Sequence, residues 1–398
     1  MFHHSVRKIS VYKNNECKVF ANMALLNGLG EAAFFTIFPL ILNDTLKSES
    51  VVSLYYSLIA IAVFLGSMLS TYLFSKFSKV WIIKITLLVS VLSLLGMTIA
   101  KNIWELSGVD IPRAICLTLA NLAISIFVFD FSTNSNISRN EARYYIFMNI
   151  GWFIGPILGG YIAKFTGKES VFIFVSGIYL ISLLYFMHQH IIVKNKNINH
   201  KKENISLKII FNNTIEYFKN KELIKVFLVA LGLNFWWAIS YLYIPIAVEN
   251  LGYGTDVVGY VVSGGILPLL LLEGFVGRSA DKNGVKKYII IGFLFLSILT
   301  ALFTILESSP ITLIIAFAVV NIGAAFIEPL KNSYFYKASK KEDEDKFFGI
   351  YNLSNPIANM AGPLIGAALI FTGGFNAMWI ASAIILLAFA IISTKIKE

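Results

Sequence analysis

Six ionisable side chains fall inside long apolar stretches of this 398-residue chain: Glu31, Lys84, Arg113, Asp130, Glu273 and Glu328. A charge in hydrocarbon costs at least about 2–3 kcal/mol, so each of them asks for a function or a partner. Lys84 and Arg113 lie within a turn or two of the ends of their stretches, where a long stem lets the charge reach the interface. Glu273 stands one turn before Gly277 and is expected to pair with lysines of the following loop.

Glu31 is different. It occupies the middle of the first stretch, in Asn27-Gly28-Leu29-Gly30-Glu31, with Asn27 one turn away on the same face. A carboxyl group in a low-dielectric cavity can take up and release a proton near neutral pH, which is what proton coupling requires. The competing expectation is a carboxyl fixed in a hydrogen-bond network between helices. Glu328, beside Pro329, and Asp130 lie toward the inner halves of their stretches. Glu328 is the stronger candidate for coupling or substrate contact, because the proline loosens the backbone around it. Asp130 has Arg139 or Arg143 as an alternative, static partner. Asn234, Trp237 and Tyr241 share a face of the seventh stretch and, with Trp236, make an aromatic wall suited to flat, amphipathic or cationic solutes. Tyr243, further along, reads as an interfacial anchor.

Catalytic chemistry fails on inventory. The chain has no P-loop, no His-Glu-x-x-His and no His/Cys cluster with metal-ligand spacing, so an ATP-driven pump is excluded and no cofactor or metal is expected; a membrane sensor or a lipid-modifying enzyme is the remaining non-transport expectation. His188 and His190 close the sixth stretch and are expected at the inner interface.

The elements that carry these residues follow from composition. Hydrophobic residues make up 57% of the chain and charged ones 14%, against roughly a quarter charged in a soluble protein. Mean hydropathy is +0.72. The apolar residues fall into twelve blocks of about 20, the length a helix needs to cross hydrocarbon. They run from Val19–Leu42 to Gly374–Thr394, with Ile111–Thr133 as the fourth. The blocks are apolar on nearly every face, unlike barrel strands. With the N-terminus inside, all but five of the 33 Lys and Arg residues (Lys47, Lys101, Arg113, Lys164 and Lys168) fall on the inner side. The formal net charge of +10 is therefore a topology signal, with both termini cytoplasmic, and not the mark of a nucleic-acid partner. Cys17 and Cys116 are expected at opposite membrane faces, which excludes a disulfide between them.

The longest polar stretch divides the chain into a six-helix bundle at 1–193, a cytoplasmic linker at 194–225 and a second six-helix bundle at 226–398. Within the linker, Leu207 to Phe218 suits either a solvated connector or an amphipathic helix on the inner surface. The halves are repeats. A shift of 206 positions takes Pro39 to Pro245, Val51-Val52 to Val257-Val258 and Glu31 to Trp237. A shift of 207 takes Gly155-Pro156 to Gly362-Pro363. Such duplication lets two bundles rock about a midplane site, as secondary carriers do.

Three motifs give the chain a resemblance to the major facilitator superfamily along its length. The loop after the eighth stretch, Gly277-Arg278-Ser279-Ala280-Asp281-Lys282-Asn283-Gly284-Val285-Lys286-Lys287, is similar to the family's loop motif. There Gly277 is expected to permit close helix approach, Asp281 to pair across the bundle interface and Gly284 to make the turn. The first-half copy is degraded to Thr71, Ser75 and Ser78, which puts its latch role in doubt. The fifth stretch holds Gly151, Gly155, Pro156, Gly159 and Gly160 in the spacing of the superfamily's drug/proton antiporters. Small residues four apart let membrane helices approach closely. Gly362 and Pro363 form its partial twin. Around Arg113 the family's fourth-helix signature is poorly met, since Cys116 and Leu117 follow.

The resemblance implies an all-α membrane protein with twelve transmembrane helices in two six-helix repeats. It also implies a proton-coupled exporter of drug-like or amphipathic small molecules in the cell inner membrane, working by alternating access and as a monomer. A symporter or facilitator that imports a small nutrient is the other expectation. The partners are a small-molecule solute, protons and the lipid bilayer.

Overall fold

The computed structural model describes residues 2–132, 137–194, 207–305, 309–339 and 343–396, and every regular element among them is a helix. Six long helices come first: α1 (Phe2–Leu46), α2 (Glu49–Lys76), α3 (Lys79–Met97), α4 (Ile103–Asp130), α5 (Ile137–Thr166) and α6 (Ser170–Lys194). A short helix α7 (Leu207–Lys219) follows in the linker. Then come α8 (Lys221–Asn250), α9 (Thr255–Asn283), α10 (Lys286–Leu302), α11 (Pro310–Ala338), the short α12 (Glu344–Asn352) and α13 (Ser354–Ser393).

Ten helical stretches among the described residues are at least 18 residues long and apolar enough to cross a membrane. The 17-residue α10 is equally apolar but one residue short of that length. The stretch Lys346–Ser393, at 48 residues, holds two crossings, because Gly374 (φ 70°, ψ −170°) breaks α13 in the middle. That conformation suits a residue without a Cβ. The twelve expected crossings are therefore present. Their outward faces carry Leu58, Leu92, Leu184, Leu271 and Ile384, all exposed. A soluble monomer rarely exposes apolar surface on this scale; a lipid-facing one must.

Local sequence explains where helices begin and end. Ser78 caps α3, accepting from the Trp81 amide at 3.3 Å. Asn220 caps α8 through the amides of Glu222 and Leu223. Ser309 caps α11 with Pro310 at its first position. Gly284 ends α9 at φ 82°, the turn its place in the loop motif predicts.

The repeat extends to individual contacts. Ser176 Oγ of α6 donates to the Val91 carbonyl of α3 at 3.4 Å. Ser297 Oγ of α10 donates to the Ala383 carbonyl of α13 at 2.8 Å. A shift of 206 takes Val91 to Ser297, and one of 207 takes Ser176 to Ala383. The same crossing is thus pinned twice, with donor and acceptor exchanged.

The chain forms two compact units, 1–34 with 65–204 and 35–64 with 205–398. In the second, the start of α2 is bound to the C-terminal helices. Ser53 Oγ meets Tyr243 Oη of α8 at 2.7 Å, while Ser50 and Ser57 donate to the Ala367 and Met360 carbonyls of α13.

Candidate functional site

In the first unit, four helices converge on Glu31. Asn121 Nδ2 of α4 donates to Glu31 Oε2 of α1 at 3.4 Å. Asn27 Nδ2, one turn earlier on α1, donates to Asn121 Oδ1 at 3.1 Å, and Ser182 Oγ of α6 donates to Asn27 Oδ1 at 2.9 Å. Arg113 of α4 and the phenols of Tyr144 (α5) and Tyr179 (α6) lie within electrostatic reach of the Glu31 carboxylate. Glu31 itself is half-buried and Asn27 buried.

Arg113 is not at a helix end. It is 4% exposed, and Asp110, 0% exposed, holds its Nε at 2.7 Å and its Nη2 at 2.6 Å. Its guanidinium also stacks 3.8 Å above the Phe34 ring. The apolar block misplaced this pair, because Asp110 and Glu105 interrupt the hydropathy of a helix that begins eight residues earlier, at Ile103. One carboxylate oxygen, Asp110 Oδ1, takes both contacts from one turn away, and with a ring face beneath this lets the charge stay inside. Asp110, Asn121 and Ser182 were not among the expected site residues; uncharged polar groups within apolar blocks were the signal for the last two.

The glycines of α5 press α1 into this cluster. A methyl at Gly155 would stand 2.9 Å from Ala32 Cβ, one at Gly151 3.0 Å from the Gly28 carbonyl carbon, and one at Gly159 3.1 Å from Ala33 Cα. Pro156 and Gly160 are buried in the same helix. The twin motif acts alike: a methyl at Gly362 would stand 3.2 Å from Ala238 Cβ of α8, the repeat equivalent of Ala32. On α5 the helix backbones nearly touch, whereas Gly362 packs against side chains of α8.

In the second unit the acid lies on the other helix of the crossing. Trp237 Nε1 of α8 donates to Glu328 Oε2 of α11 at 3.0 Å, and Lys331 Nζ meets Glu328 Oε1 at 2.6 Å. Trp237 and Tyr241 stack at 5.4 Å, and both stay partly exposed. Glu273 of α9 lies within electrostatic reach of Glu328 and of Lys331, a lysine of α11 and not of the loop that follows Gly277. The rest of the expected wall is packing. Trp236 is fully buried and donates to Asn321 Oδ1 at 2.7 Å. Asn234 is buried and donates to Ser354 Oγ of α13 at 3.1 Å. Tyr243, expected at the interface, is fully buried: its hydroxyl meets Ser53 and donates to the Pro363 carbonyl at 3.3 Å.

The remaining expected residues are dispersed. Asp130 pairs with Lys79 of α3 at 2.6 Å; the side chain of Arg139, one of the two arginines expected to hold it, lies outside the described residues. The degraded first loop thus keeps an ion pair at its end. Asp281 is exposed, and a Cβ at Gly277 would meet open space among the described residues.

With this geometry in hand, likeness to known proteins is informative. Residues 20–255 and 226–396 match the sequence profile of the Major Facilitator Superfamily. A "Multi-drug resistance efflux pump PmrA homolog" of Lactococcus lactis is 25% identical over 71% of this chain and 69% of its own length. The "Multidrug resistance protein MdtG" of Klebsiella pneumoniae is 24% identical over 80% of this chain and 76% of its own. A solved POT family transporter in complex with a thioalcohol-conjugated peptide shares the fold, with a TM-score of 0.79 over 96% of both chains at 13% identity.

Proposed function

Since the chain belongs to the major facilitator superfamily, and so is a multi-pass membrane transporter and not an enzyme, we propose that it is a proton-coupled exporter of amphipathic, drug-like cations. One observation carries this reading. The two repeats place one acid each at the same helix crossing, and the two acids differ in what satisfies them.

Among the described residues Glu31 receives one long hydrogen bond, from the neutral Asn121, while the neighbouring Arg113 is already engaged by Asp110. Arg113 therefore favours the charged form of Glu31 through its field without fixing it as an ion pair. A proton on Glu31 removes the charge that Asn121 and Arg113 favour, and so perturbs the relay through Asn27 and Ser182 that joins α1 to α4 and α6. Glu328 is instead held by Lys331 beside the stacked Trp237 and Tyr241. A cationic solute lying on those rings would take the place of the Lys331 ammonium. Glu31 is thus the proton site, and Trp237, Tyr241 and Glu328 are the solute contacts.

The close packing of α5 on α1 and of α13 on α8 supports rigid bundles that alternate access about these sites. The multidrug efflux relatives support the direction and the solute class. The same reading places the protein as a monomer in the inner membrane, with both termini cytoplasmic. The test is a solute screen in proteoliposomes with an entrapped pH dye. Amphipathic cations should move against an imposed proton gradient and drive proton counterflow. Transport of small nutrients in the same direction as protons would replace this reading with import.

A further inference from the structure

The linker helix α7 remains unexplained by transport. Its Tyr217 is fully buried, edge-on to the Phe227 ring of α8 at 6.3 Å and to the Phe347 ring of α12 at 5.5 Å. Lys346 of α12 meets the Glu216 carboxylate at 2.5 Å. One face is therefore bolted to the second unit, and the orientation of the others is fixed.

Another face is apolar and uncovered: Phe211 is 66% exposed, Ile215 40% and Phe218 42%. At 3.6 residues per turn these three fall within roughly 60° of arc, about a third of a turn from Tyr217. A polypeptide does not normally leave two phenylalanines and an isoleucine in water along one stripe. The helix also has a fixed depth. It ends at Lys219, one residue before the cap of α8, and α8 crosses the membrane from Lys221. Lys219 and Lys221 are both exposed at this junction, and the one acid of α7 is occupied by Lys346. An apolar stripe edged by cations, at the mouth of a crossing, is complementary to an anionic lipid surface.

We infer that α7 is a docked membrane-surface helix that inserts Phe211, Ile215 and Phe218 among the lipids and binds anionic headgroups through Lys219 and Lys221. The inference rests on the multi-pass membrane reading but not on proton coupling or on the identity of the solute.

The experiment places photoreactive benzoylphenylalanine at 211, 215 or 218, and at 212 as control, in the full chain. Each variant is reconstituted in nanodiscs of phosphatidylcholine with or without phosphatidylglycerol. Adducts to phospholipid are expected at 211, 215 and 218 but not at 212, enriched in phosphatidylglycerol when it is present. Lys219→Gln and Lys221→Gln should each reduce that enrichment about fivefold. The absence of lipid adducts at all three positions would make α7 a solvated connector. Adducts to protein would make the stripe a protein contact, and lipid adducts without headgroup preference would remove the role of the lysines. Any of these overturns the inference, and none bears on the transport reading.

Discussion

Glu31 accepts a hydrogen bond from Asn121 at the same repeat position where Glu328 accepts one from Trp237. A shift of 206 takes Glu31 to Trp237, and one of 207 takes Asn121 to Glu328. The larger shift also carries the start of α4 onto the start of α11, Ile103 to Pro310. Each half keeps a carboxylate at this crossing but carries it on a different helix, and among the described residues only Glu328 of the two forms an ion pair, with Lys331. In the function proposed above, duplication followed by exchange of the acid lets one crossing handle a proton and the other a solute.

Close packing beside Glu31 makes α5 sensitive to added volume. Overpacking a well-filled contact costs about 1–3 kcal/mol. Gly155→Leu should leave the protein inserted and cut transport at least tenfold. Gly177→Ala, where a Cβ meets open space among the described residues of α6, should be silent. Wild-type turnover in Gly155→Leu would make the α5 motif a coincidence of sequence.

The Asp110–Arg113 pair predicts a thermodynamic asymmetry. Removing one partner strands a buried charge, at about 3–5 kcal/mol, whereas removing both does not. Asp110→Asn alone should lower the inactivation temperature in detergent more than Asp110→Asn combined with Arg113→Gln. Equal losses in single and double variants would show that the pair is not isolated from water.

Much of this was legible in the sequence. Twelve crossings followed from block length, and the repeat followed from Pro39 with Pro245 and from Gly155 with Gly362. Glu31 and Asn27 stood out because polar groups inside apolar blocks are costly. Partners were harder to read. Arg113 looked terminal because hydropathy averages over Asp110, which cancels the charge of Arg113 but still counts against the block. Tyr243 looked interfacial because sequence distance to a helix end says nothing about Ser53 reaching across from α2. Lys79, which pairs with Asp130, escaped notice because it lies 51 residues away at the start of α3.

Asp130 with Lys79 is structural in this account. Asp130→Asn should reduce expression or turnover without moving the pH dependence of transport, and Lys79→Asp combined with Asp130→Lys should recover activity. A displaced pH profile in Asp130→Asn would make it a second proton site.

In the proposed solute site, Lys331 is the group that a cationic solute would replace on Glu328. Lys331→Gln leaves Glu328 and the Trp237–Tyr241 stack with an uncompensated negative charge, so affinity for monocationic solutes should rise about tenfold, roughly 1.4 kcal/mol. Affinity for neutral analogues should change little. If both classes shift together, Lys331 acts on the conformation and not on the solute.

The central claim is that Glu31 carries the proton, and Glu31→Gln tests it most directly. The measurement is solute accumulation in proteoliposomes under an imposed proton gradient, beside solute counterflow without one. The account predicts that Glu31→Gln loses gradient-driven accumulation while counterflow stays within about twofold of wild type, because binding and rocking need no proton. Accumulation at the wild-type level in Glu31→Gln would contradict it.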